Sequence, residues 1–122
     1  MDRERVLRYA RERFGSEPEY LWAKYPTYCV LRHGGNRKWY AAVMDVPRNK
    51  LGLPGTDAVE ILDVKCDPRL LGSLLEAEGF LPAYHMNKSN WVTILLDGSV
   101  PDGEIQSLLA LSYDLTRGKG VT

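Results

Sequence analysis

At 122 residues the chain is long enough to bury one core without help from a disulfide or a metal. Its 16 basic and 16 acidic residues cancel, which argues against a dedicated polybasic nucleic-acid protein and leaves only local patches to consider. Two cysteines without CxxC spacing, two histidines outside any paired-ligand spacing and no long apolar run predict a cytoplasmic protein with no zinc site, disulfide framework or membrane span. The balance hides an asymmetry. Residues 1 to 50 carry 11 Lys/Arg against 6 Asp/Glu, and residues 51 to 122 carry 5 against 10, so the molecule is a dipole unless folding remixes its halves.

Residues 2 to 14 set Val6, Leu7, Ala10 and Phe14 at helical spacing, with Arg5, Arg8 and Glu12 opposite and Gly15 as a stop. The arginines of this helix, Arg5 and Arg8 among them, read either as a phosphate-binding footprint or as a solvated face laced by Glu4/Arg8 and Arg8/Glu12 pairs. The aromatic and β-branched run LWAKYPTYCVLRH, the turn Gly34-Gly35-Asn36 and RKWYAAVMDV then predict a β-hairpin, with Pro26 marking an edge strand or bulge. Its tip gathers Arg32, Arg37 and Lys38 beside His33. The tip is either a phosphate-tracking wing or an ordinary solvated turn.

Pro47 to Asp57 reads as a loop whose glycines form no phosphate-cradling pattern. Ala58 to Cys66 alternates, predicting a strand with Leu62, Val64 and Cys66 on its covered face and Ile61, Asp63 and Lys65 on a wetter one. Asp67-Pro68 starts a second helix with a capping carboxylate and a first-turn proline, Leu70, Leu71, Leu74 and Leu75 make its stripe, and Gly79 ends it. Cys66 precedes that helix N-terminus, where a thiol can become reactive, but its strand phase points it inward.

Tyr84 to Gly98 predicts a second hairpin, its tip Asn87-Lys88-Ser89-Asn90 leading into the apolar strand Trp91 to Leu96. Trp91 falls on the sheet face away from the helices, as an exposed stacking platform or as a cap beneath a loop. His85 has no serine, cysteine or carboxylate beside it in a recognisable catalytic motif, so no catalytic residue is assigned. Val100-Pro101-Asp102 opens a third helix with Ile105, Leu108, Leu109, Leu111 and Leu115 on its apolar side, and Arg117 to Thr122 reads as a frayed tail.

The order helix, two strands, strand, helix, two strands, helix predicts an α+β fold: a two-layer sandwich with an antiparallel sheet carrying its helices on one face. The runs KWYAAVMDV, ILDVKCDP, GFLPAYHMNKSNWVTILLDGSVPDGEI and LSYDLT together resemble the MmcQ/YjbR family of small bacterial proteins, over nearly the whole chain, taken as one domain of residues 1 to 122. The resemblance implies a fold similar to CyaY/frataxin and a DNA-binding role through a double wing of hairpins. It implies phosphate contacts from Arg37, Lys38 and Lys88, with Asn87 and Asn90 hydrogen-bonding backbone or base edges. Frataxin-like iron binding is not expected, because the first helix is arginine-rich where carboxylate oxygens would be needed.

Two partner classes follow. The first is DNA, bound weakly through its backbone by Arg32, Arg37, Lys38, Asn87, Lys88 and Asn90 with Arg5 and Arg8. The second is another protein, docking on the open sheet face around Trp91, Trp39 and His85. The chain is expected to be a monomer, non-catalytic and without a cofactor.

Overall fold

The computed structural model describes residues 1 to 118; the expected fraying of the tail falls partly on residues 119 to 122, outside the described residues. Helix α1 (Arg3–Phe14) starts at Asp2, whose carboxylate accepts the Arg5 backbone N–H. It ends at Gly15, where φ of 69° lets the Gly15 and Ser16 N–H groups close on the carbonyls of Arg11 and Ala10. Five strands follow, β1 (Cys29–Arg32), β2 (Trp39–Pro47), β3 (Ala58–Lys65), β4 (Phe80–Pro82) and β5 (Trp91–Leu95), with α2 (Pro68–Glu76) before β4 and α3 (Asp102–Leu115) last. They form one sheet in the order β1-β2-β3-β5-β4, antiparallel throughout. The α+β architecture expected from the sequence is the one found.

Period-two alternation assigns the faces. Leu31, Val43, Leu62, Val64, Val92 and Ile94 meet Val6, Ala10, Ile105 and Leu109 in the core beneath the helices. Cys66 is buried there too, so its inward phase holds. Helix α3 is pinned to the sheet by Ser112, whose hydroxyl donates to the Tyr40 carbonyl and accepts the Lys65 N–H at 2.9 Å. Phe14 stacks on Tyr113 at 4.3 Å and meets Tyr40 edge-on, joining the C-terminal ends of α1 and α3 over β2.

The opposite face is not open. Tyr28, Val30, Ala42, Met44, Val46, Val59, Ile61 and Leu95 form a second core, closed by Trp22, Leu51, Leu53 and Tyr84 from three connections and by Trp39 and Leu81 from β2 and β4. This corrects the wetter face expected for β3: Ile61 and Asp63 are fully buried, because residues 48 to 57 and 83 to 90 lie over it. It also corrects the long first strand. Only Cys29–Arg32 pairs, and residues 21 to 28 make turns, Tyr25 N–H to Trp22 O and Tyr28 N–H to Tyr25 O, that lay their aromatic rings on this second core.

The second hairpin is shifted as well. Its first strand is Phe80–Pro82, and residues 83 to 90 are a long connection. What places β4 there is Gly79, at φ of 91°; a Cβ on it would come within 2.4 Å of the Val100 side chain, so only glycine lets the chain turn from α2 into β4.

Because every neighbouring pair is antiparallel, the β1–β2 and β4–β5 turns emerge at the same end of the sheet. Three strand spacings separate them, roughly 14 Å. Lys65, the last residue of β3, stands between them.

Candidate nucleic-acid interface at the hairpin end of the sheet

The first tip is a braced turn. His33 is buried, and its Nε2 lies 2.7 Å from the Thr116 hydroxyl at the end of α3. Asn36 donates to the Thr116 carbonyl at 3.0 Å and accepts the Lys38 N–H at 2.9 Å. Burial pushes the His33 pKa down, favouring the neutral ring that packs on Tyr113 at 4.1 Å.

Its charge is smaller than its sequence suggests. Glu19 bridges to the outer edge of β1 opposite Val30. There its carboxylate holds Arg32 at 2.9 Å and reaches Arg37 at 3.5 Å. Arg32 is therefore a structural ion pair rather than a free phosphate contact. Arg37, at φ of 64°, is mostly exposed, and Lys38 is exposed with no carboxylate within 4 Å among the described residues.

The second tip is held from below. The Thr93 hydroxyl donates to the buried Asp63 carboxyl and accepts the Tyr84 N–H at 2.9 Å, fixing the start of the loop over β3 and β5. Burial raises the Asp63 pKa to about 7, against the opposing effects of Thr93 and Lys88, and its second oxygen has no partner among the described residues. Asn87 closes the tip on itself, its side-chain oxygen accepting from Ser89 and its carbonyl from the Trp91 N–H. Asn90 gives its carbonyl to the Cys66 N–H and its side-chain oxygen is buried. Both asparagines thus shape the loop; Lys88 is the exposed cation it presents.

The expected Arg5 and Arg8 contacts lie elsewhere. Arg5 pairs with Asp102 at 2.9 Å at the far end of the molecule, and Arg8 lines a shallow depression in the helical layer with Tyr9, Glu12 and Gln106. Trp91 is on the face away from the helices, as its phase requires, but is only 9% exposed, so it is a cap and not a platform. Trp39 and His85, grouped with it by the sequence, do come together. They line a groove of about 390 Å³ with Trp22, Tyr25 and Met86, floored by Ala42 and Met44. Trp22 meets Trp39 edge-on at 5.7 Å and Tyr28 at 6.0 Å, and Tyr25 stacks on Tyr28 at 4.7 Å.

Sequence reasoning missed Lys65, Trp22, Tyr25 and Met86. Lys65 reads as an ordinary strand lysine until β3 is known to lie between the two hairpins. Trp22 and Tyr25 carry a signal, three aromatics around Pro26 counting Tyr28, that is indistinguishable in sequence from the aromatic content of a strand.

An antiparallel sheet with three helices on one face, two hairpin turns at one end and an aromatic groove on the other face define a small α+β domain. The YjbR family model matches residues 12 to 115, and the chain belongs to the YjbR family. It is 42% identical over 117 residues to protein YyaQ of Bacillus subtilis, covering 96% of this chain and 99% of YyaQ. It is 38% identical over 53 residues to YjbR of Escherichia coli, where the match spans 43% of this chain and 45% of that protein. A crystal structure of a Pseudomonas syringae protein superposes with a TM-score of 0.94 at 44% identity, covering 96% of this chain and all of that one. The Deinococcus radiodurans protein DR2400, of domain family DUF419, has the same fold at a TM-score of 0.73 and 26% identity, over 98% of this chain and 80% of its own.

Proposed function

We propose that this chain is a non-catalytic nucleic-acid-binding module that works through the hairpin end of its sheet. The observation that carries the reading is topological: antiparallel pairing brings Lys38, Lys65 and Lys88, with the mostly exposed Arg37, to one end of the molecule. Among the described residues every ion pair is made by an arginine or the N-terminal amine, and no lysine is neutralised by a carboxylate. With Lys65 midway between turns roughly 14 Å apart, neighbouring cationic positions along this end are about one Debye length from each other at physiological salt and can act together on a polyanion. Both thiols are buried, and burial raises their pKa values, which favours a binding role over nucleophilic chemistry.

Fluorescence anisotropy of labelled oligonucleotides between about 50 and 200 mM salt tests this. The expected result is saturable binding that weakens steeply with salt, with a shallower slope in a Lys38→Ala/Lys65→Ala/Lys88→Ala variant. Equal slopes in the variant and the parent would refute the assigned contacts.

A further inference from the structure

The groove on the helix-free face has a chemistry of its own. Trp22 and Trp39 are half-buried and Tyr25 is 47% exposed, so large rings that a core would enclose stand partly in water. The rings are mutually supported in edge-on and stacked pairs, which fixes their planes before any ligand arrives. Met86 offers polarizable, adaptable surface beside them over a floor that includes the buried Met44, and His85 borders the groove from the second loop, its ring 4.0 Å from that of Tyr84. None of the lining residues is a carboxylate.

Charge supplies the other half of the argument. Lys24 falls between Trp22 and Tyr25 in the chain, Lys38 precedes Trp39, and Lys88 follows Met86 by two residues. All three are exposed and unpaired among the described residues. An apolar aromatic trough whose lining residues have exposed lysines as near neighbours in the chain complements a polyanion that carries flat apolar rings. A duplex hides the faces of its bases, whereas an unpaired strand offers them for stacking while its phosphates meet the lysines.

We propose that the groove takes unpaired bases, so that the ligand of this module is single-stranded nucleic acid rather than duplex. This rests on the nucleic-acid reading above and adds the strand state and the base-contacting residues. The test uses the full chain with a fluorescein-labelled oligothymidylate and a duplex of equal length at the same salt. The expected result is tighter binding of the single strand, accompanied by quenching of tryptophan fluorescence. Trp39→Leu, and separately Tyr25→Ser at the exposed edge where folding is least at risk, should each weaken single-strand binding about tenfold and leave duplex binding unchanged, the size expected for one lost stacking partner. Duplex binding as tight as single-strand binding, or ring variants that leave both unchanged, would overturn the groove assignment while leaving the charge-based reading intact. Absence of binding to either oligonucleotide would overturn both, and binding of an acidic aromatic peptide under those conditions would reassign the groove to a protein partner.

Discussion

The two hairpin turns occupy equivalent places at one end of the sheet and are built in opposite ways. The first is short and tied to the helical layer, through His33 and Asn36 at the end of α3. The second is long and tied to the sheet, through Tyr84, Thr93 and Asp63 on the other face. The first holds more positive charge in sequence, yet Glu19 occupies Arg32 and part of Arg37. The second holds one lysine, and no carboxylate pairs with it among the described residues. Counting charges along a hairpin therefore overstates the first turn and not the second; what matters is which cations a folded neighbour has already paired.

The buried titratable groups beneath the two turns make the contrast breakable by pH. The largest effect is expected at Asp63. In the native state its carboxyl keeps a proton to about pH 7, whereas the unfolded value is near 3.8, so the native state binds more protons between those values. Stability from this group is therefore lost as pH rises through that window and is level above it. Asp63→Asn should remove the loss, so that the stability of the variant relative to the parent grows by on the order of a few kcal/mol between about pH 4 and 8. Denaturant melts of both proteins across that range measure it, and a pH-independent difference would contradict the assignment.

His33 slopes the other way. Its native pKa is lowered, so below the ordinary histidine range the unfolded state takes up a proton that the native state resists, and stability is lost as pH falls. His33→Ala should cost about 2 kcal/mol at neutral pH, from a buried hydrogen bond and its packing on Tyr113, and should flatten the acid-side loss. Thermal or denaturant melts at two pH values distinguish this from a purely steric effect. Glu19→Gln, which releases Arg32 and Arg37, should change stability by about 1 kcal/mol or less. It should tighten oligonucleotide binding severalfold and steepen its salt dependence; unchanged binding would show that these arginines do not face the ligand.

The fold was largely legible because its signals are local. Asp67-Pro68, Gly15 and the alternation of Ala58 to Lys65 each announce an element through capping or periodicity, and three apolar helical stripes need one sheet face to cover them. The second face was not legible. Asp63 alternates like a solvent-facing strand residue, and only loops arriving from residues 48 to 57 and 83 to 90 bury it. Trp91 has the phase of an exposed residue for the same reason. The site was legible in parts. Lys38, Lys88, Trp39 and His85 declared themselves by position in the hairpins, but Lys65 joined them only through strand order, and Arg32 left them only through Glu19, thirteen residues away in the chain. Long-range pairing of this kind leaves no periodic trace.

Mapping the ligand surface tests the central claim most directly. A titration of isotope-labelled protein with a short oligothymidylate, followed by amide and indole chemical shifts, should perturb residues 34 to 38, Lys65, residues 85 to 89 and the Trp39 indole together. The helical-layer depression around Arg8 and Gln106 should stay unchanged. Shifts confined to that layer, or absent from the hairpin end, would contradict the account.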